Sequence, residues 1–508
     1  MKTLIIAVFI FLFAFSLRIW NLNAAGRWWD EEWYISKGYT FINLLKKGDL
    51  NNPVWYTLGA DHPPLAAYIY GLASYGDMVR YDSEYLPFFG WPKGAPVYNY
   101  DLVYSRLISV FASSISVVLI YLIGQRYFSR FIGMTSAMIL AMVPHFLGFS
   151  QMVTLESLTM LSFTSCVYFY LRFLESGRGA FLLLTGILTG ACIMVKESNV
   201  VIYIFYLVSY LVWRSRIKRM NIPFFHLIYI GIVSMIMSFL IWPEVWLHFS
   251  SYFNFISILW LGEGLVPEML FGRMMGARSF FYIVAFFVTT PVVLLCLSFF
   301  GLKETWDRRK KWISLVIIIW FFTPFLLSVF HHRQHMVRYI IQFYAPFSLL
   351  AAIGLEKIVS CISKKMMHKY LAAFFVFLYL MYILLNISPY YLNYFNEVVG
   401  GTKNVYNRNL FFLGWFGEGL RGPGKYLEDN ALKDSKIGMA LNPSHTLYKA
   451  EGLDFENYIS DKEYDYVVVN YFNVIRMGFD ESKLLKDYKI VYHEDAGGVD
   501  IARVYKKK

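Results

Sequence analysis

Long apolar runs separated by short polar loops dominate this chain. A run of about 17–25 predominantly apolar residues is long enough to cross a bilayer as a helix, and the chain holds about eleven of them. They fall near 3–20, 103–123, 131–149, 157–174, 180–195, 198–213, 224–242, 280–302, 312–330, 339–358 and 370–388. The first two are separated by a long polar stretch, roughly 21–101. Within it, Glu32–Leu45 and Pro64–Met78 are too polar to cross but periodic enough to lie as helices along the interface. The far end, Tyr81–Tyr100, is rich in Tyr, Pro and Trp and reads as irregular. After the last run the pattern shortens. Ser435–Leu441, Tyr466–Asn470, Lys489–His493 and Ile501–Tyr505 read as strands, and Lys425–Leu432 as a helix. The expected architecture is a polytopic α-helical membrane domain over 1–390, followed by a small α/β domain over 391–508.

Composition agrees with the pattern. The chain is 57% hydrophobic and 19% aromatic, with a mean hydropathy of +0.46, which excludes an ordinary soluble protein. A formal charge of +12 raises nucleic acid as a partner, but the distribution of Lys and Arg argues against it. With the N-terminus inside, every inner loop is basic, as the positive-inside rule requires. Arg126 and Arg130 lie in the first, Arg172 and Arg178 in the second, and Arg214, Arg216, Lys218 and Arg219 in the third. Lys303, Arg308, Arg309, Lys310 and Lys311 lie in the fourth, and Lys364, Lys365 and Lys369 in the fifth. That orientation puts 21–101 and everything after Pro389 on the outer face of a cell membrane. Cys166, Cys192, Cys296 and Cys361 lie in or beside apolar runs, so no disulfide framework is implied. The first run has features of a signal peptide, with Lys2 and Ala24-Ala25. It is read here as a retained span, because a carboxylate cluster follows it closely.

The outer loops carry charges that topology does not explain. The first contains Gly26-Arg27-Trp28-Trp29-Asp30-Glu31-Glu32 and then Asp61-His62-Pro63-Pro64-Leu65. Clustered carboxylates at a membrane exit repel one another unless solvated, paired or used. Glu156 opens the fourth run within Thr154-Leu155-Glu156-Ser157. Lys196 separates the fifth and sixth runs, and the fifth outer loop is His331-His332-Arg333-Gln334-His335-Met336-Val337-Arg338-Tyr339. Each has a plainer reading. Asp61 before Pro63 fits a helix N-cap, Lys196 a snorkelling lysine, and the basic loop a lipid-headgroup contact. No Walker loop, dinucleotide fingerprint or HExxH element is present.

Arg18 at the outer end of the first run, Asp30-Glu31, and the His62-to-Leu65 element together resemble the GT-C class of polyprenyl-phosphate-sugar-dependent glycosyltransferases. The similarity is to the protein O-mannosyltransferase (dolichyl-phosphate-mannose-protein mannosyltransferase) and aminoarabinose-transferase group. The resemblance implies transfer of a monosaccharide, mannose or a similar hexose or pentose, from a polyprenyl or dolichyl phosphate. The acceptor would be a hydroxyl of a protein, lipid or glycan on the outer face. It implies Asp30 as general base with Glu31 as its partner, and Glu156 and Asp61 positioning an acceptor or a metal. Lys196, Arg338, His62 and Arg333 would bind the donor phosphate. The residue types suit that chemistry, which needs a base for the acceptor proton and positive charge for the departing phosphate. Outer carboxylates could hold a divalent cation, and a metal-free site of Lys and Arg would serve as well. Two other readings stand beside this one. A lipid-linked-oligosaccharide transferase would carry its Trp-Trp-Asp element in the soluble tail, whereas Trp28-Trp29-Asp30 lies in the first loop. A transporter would place its charges at mid-membrane, often in repeated halves.

Overall fold

The computed structural model describes residues 2–57, 62–77, 79–81, 97–99, 102–217, 222–247, 267–276, 278–327, 335–414, 417–440 and 453–508. Asp61, His331, His332 and Arg333 lie outside the described residues. Helix occupies each of the apolar runs. Among the described residues, four helices are long and apolar enough to cross a bilayer, or up to six if each of two bent pairs is one span: Lys2–Ile19, Leu102–Tyr127, Arg338–Ile362 and Met366–Ile387, with Arg130–Met142 plus Pro144–Ser150 and Phe281–Thr289 plus Val292–Asp307. The remaining runs form helices such as Leu155–Ser176, Gly179–Val195, Ile202–Arg216 and Phe225–Ile241. Outward faces are apolar, with Ile228, Ile232, Met235 and Phe239 exposed on one helix and Leu371, Phe375 and Leu385 on another. Such contiguous apolar surface suits lipid, not water.

Two runs differ from the straight spans expected. The run near 280–302 turns by 117° between its two helices, and that near 131–149 by 66°. Pro291 and Pro144 stand at these breaks. Proline supplies no N–H, clashes with the preceding turn and pushes the residue before it out of the helical region.

The interfacial segments are helices Trp29–Lys47 and Leu65–Ala73. They pack backbone to backbone through Gly38 and Gly71: a Cβ added to Gly38 would meet the Ala67 carbonyl oxygen at 1.7 Å. Only glycine permits that approach. The first of these helices ends at Gly48, whose φ of 67° is left-handed and whose N–H caps the Leu44 and Leu45 carbonyls.

The C-terminal part contains a five-stranded sheet in the order Asp454–Asn457, Lys436–Met439, Tyr466–Asn470, Asp500–Lys507, Tyr488–Asp495. The first three strands are parallel and the last two join antiparallel. Four of the strands match the alternating segments in the sequence. The fifth, Asp454–Asn457, is a polar edge strand whose composition hides it. The sheet is tied to the start of the chain: Gly419 N–H donates to the Ala25 carbonyl at 3.1 Å and Arg421 to the Asn23 carbonyl at 2.6 Å.

Candidate active site

Four charged side chains from four distant parts of the chain form a ladder at one end of the helices. Lys196 Nζ lies 3.2 Å from Glu156 Oε1, Arg338 Nε 3.0 Å from the same oxygen, and Arg338 Nη2 2.5 Å from Asp30 Oδ2. The ladder alternates in sign, and only its last member is open: the Asp30 side chain is 25% exposed, against 8% or less for the other three. Aromatic faces complete it. The Arg338 guanidinium lies 5.0 Å from the Trp28 ring centre and Lys196 Nζ 4.3 Å from that of Tyr339, distances at which cation–π attraction acts.

Each member is delivered by a local feature. Asp30 is in the first turn of helix Trp29–Lys47. Glu156 is in the first turn of Leu155–Ser176, and Lys196 is the residue at which Gly179–Val195 stops in extended backbone. Burial pushes the Lys196 ammonium below its ordinary range, and the Glu156 carboxylate opposes that shift. Arg338 opens a short 3-10 turn, Arg338–Phe343, that leads into Tyr344–Ile362.

Residues 98–242, which include Glu156 and Lys196, match the family described as dolichyl-phosphate-mannose-protein mannosyltransferase. The fold is that of solved GT-C structures. Against "ArnT from Cupriavidus metallidurans in the apo state" the TM-score is 0.52 at 14% identity, covering 98% of this chain and 97% of that one. Against ArnT bound to undecaprenyl phosphate it is 0.50 at 13% identity, with the same coverage of 98% and 97%. The chain shares the fold of these glycosyltransferases. The archaeal oligosaccharyltransferase AglB from Archaeoglobus fulgidus, in complex with an inhibitory peptide and a dolichol-phosphate, gives a TM-score of 0.51 at 12% identity over 100% of this chain and 74% of that one. A search of the curated proteins finds no match.

Glu31, expected beside Asp30, faces the other way. It is fully buried, and both its oxygens are taken by Arg106, at 2.8 and 2.7 Å. Glu31 also accepts the backbone N–H of Val153 at 2.9 Å and of Trp28 at 2.7 Å, the second closing the first turn of its helix. Glu32 pairs with Arg27 at 3.0 Å. Of three consecutive carboxylates, Asp30 alone reaches Arg338. His62 pairs with the residue that follows Lys196, its Nδ1 3.1 Å from Glu197 Oε2, while its carbonyl accepts from Lys37 at 2.9 Å. Arg18 is buried and donates to Ser113 Oγ at 2.8 Å. It braces the first helix against Leu102–Tyr127.

Sequence reading passed over Arg106, a lone cation inside an apolar run. A charge there is costly unless paired, and that alone was a signal that it answers a buried carboxylate. Among the described residues no group of three or more His, Cys, Asp or Glu side chains converges, whereas a divalent cation gathers several oxygen ligands. Asp30 and Glu156 face cationic side chains instead. The described site does not fit a bound metal.

Proposed function

We propose that the enzyme transfers a monosaccharide, mannose or a similar hexose or pentose, from a polyprenyl-phosphate donor to a hydroxyl of a protein, lipid or glycan, with inversion. The observation that carries this reading is the Lys196–Glu156–Arg338–Asp30 ladder, with its cations buried and its one open carboxylate beside them. The undecaprenyl phosphate bound by the structurally similar ArnT supports a donor of this class. Arg338 and Lys196 bind the phosphate, Arg338 through two parallel donors, and Glu156 holds the two cations side by side. His62 supports Lys196 through Glu197. As phosphate draws Arg338 toward itself, Asp30 is released to accept the acceptor's proton. The acceptor oxygen then bonds to the anomeric carbon, and the bond from that carbon to the phosphate oxygen breaks. The electron pair leaves with polyprenyl phosphate, whose charge the two cations stabilise. Attack from the face opposite the leaving group gives inversion, as in inverting glycosidases.

The test is release of polyprenyl phosphate by the protein reconstituted in liposomes with a polyprenyl-phosphate mannose and a hydroxyl acceptor. Lys196→Ala and Arg338→Ala should each weaken binding of polyprenyl phosphate by roughly ten- to a hundredfold, since a charge-assisted contact contributes about 1.5–3 kcal/mol. Unaltered affinity in both folded variants would return these residues to a structural role.

The same reading has the N-terminus cytoplasmic and the ladder and C-terminal sheet on the outer face, supported by the basic loops at the opposite helix ends. Intact cells treated with a membrane-impermeant maleimide should label Leu432→Cys, at a position 81% exposed, and leave Ser215→Cys unlabelled. The reverse pattern overturns the orientation.

A further inference from the structure

Arg338 does not sit on a regular helix, and something must hold its turn in place. Just before it, Met336 has a φ of 35°, left-handed backbone that a side-chain-bearing residue adopts at a cost. Met336 and Val337 are nonetheless buried, and Arg338 N–H closes the turn on the His335 carbonyl at 3.0 Å. His335 Nδ1 lies 2.5 Å from Glu268 Oε1, and both side chains are 7% exposed or less. Glu268 opens the strand Glu268–Leu270, which pairs with Arg273–Met275 in a short hairpin. The hairpin is itself anchored. At its tip Gly272 N–H donates to the Leu410 carbonyl at 3.1 Å, and Phe271 packs edge-on against Phe411 at 5.3 Å. Met269 is buried with Phe412 and Phe472, the latter in the helix Tyr471–Met477 that follows the sheet's central strand.

We propose that Glu268 and His335 are positioning residues for Arg338. Their hydrogen bond fastens the strained turn to a hairpin braced by the C-terminal part of the chain, so that the guanidinium is already aimed when a phosphate arrives. The proposal rests on the donor-binding role given to Arg338 above. It assigns the hairpin and the C-terminal sheet a part in donor affinity, through rigidity and without touching substrate. A misplacement of about 1 Å is enough to cost a hundredfold where geometry matters.

The experiment uses the full-length protein with the exposed Cys296 and Cys361 replaced by serine. Glu268→Ala and His335→Ala should each weaken binding of polyprenyl phosphate by about tenfold or more and lower kcat/KM at least as much. The double variant should be no worse than either single one, because both remove the same contact. Glu268→Gln, which retains an acceptor oxygen, should recover most of the affinity. It also serves as the comparison with His335→Ala should Glu268→Ala fail to fold. Independently of activity, Met336→Cys should resist a maleimide in the parent protein and react readily once Glu268 or His335 is truncated. Unchanged labelling together with unchanged affinity sinks the proposal, as do additive losses in the double variant. If the parent protein turns over no lipid-phosphate sugar, the transferase reading fails, while the labelling experiment still judges the fastening of the turn.

Discussion

Asp30→Asn is expected to lower turnover by at least a hundredfold while the protein stays folded and still binds polyprenyl phosphate. A positioned base contributes about 10²–10⁴-fold, and Asn keeps the shape of Asp without its basicity. The geometry makes the expectation selective. Asp30 is the open end of the ladder, 2.5 Å from Arg338, whereas Glu32 is paired with Arg27 at the edge. Glu32→Gln should therefore leave most activity in place. Single-turnover measurements with a bound donor separate the chemical step from binding. Normal turnover by Asp30→Asn would remove Asp30 as base and with it the centre of the proposed mechanism.

Arg106→Ala is expected to destabilise the protein by about 3–5 kcal/mol, the usual consequence of stripping one partner from a buried ion pair. Arg106 does more than neutralise Glu31. Its guanidinium also donates to the Leu22 carbonyl at 2.9 Å, the Asn23 side chain at 3.0 Å and the Gly26 carbonyl at 2.5 Å. One side chain thus fixes both the loop entering helix Trp29–Lys47 and that helix's first turn. Arg106→Lys keeps the charge but loses the planar fork, so it should recover only part of the loss. Glu31→Gln should likewise act through stability before it acts through chemistry. The check is the thermal unfolding midpoint of each variant in one detergent. An Arg106→Ala protein as stable as the parent would mean that Glu31 finds another partner.

Much of this was legible beforehand. Apolar runs marked the helices because a bilayer admits few other ways to satisfy a backbone, and Asp30, Glu156, Lys196 and Arg338 stood out as charges without a topological excuse. Which of them meet was not legible, since pairing between residues as far apart as Asp30 and Arg338 is settled by helix packing and leaves no local trace. The division of labour within Asp30-Glu31-Glu32 was hidden for a related reason. Neighbours on a helix point about 100° apart, so one can enter a site while the next is sealed behind it. The 117° turn at Pro291 was a missed signal of another kind: the proline was visible, but hydrophobicity alone runs straight through it. Met336, left-handed without being glycine, could not be read from residue type at all.

The spacing of the two ion pairs along the chain has a consequence for how the enzyme is made. Glu31 and Arg106 are 75 residues apart, while Asp30 and Arg338 are 308 apart. Synthesis proceeds from the N-terminus, and early segments fold before later ones exist. The buried pair that sets the helix can thus form while most of the protein is still untranslated, and Asp30 then waits for a partner that emerges more than 200 residues after Arg106. A chain truncated before residue 338 would carry the carboxylate already mounted, and Lys196, but not Arg338, so on the proposed reading the phosphate site is completed only after two-thirds of the chain has been made.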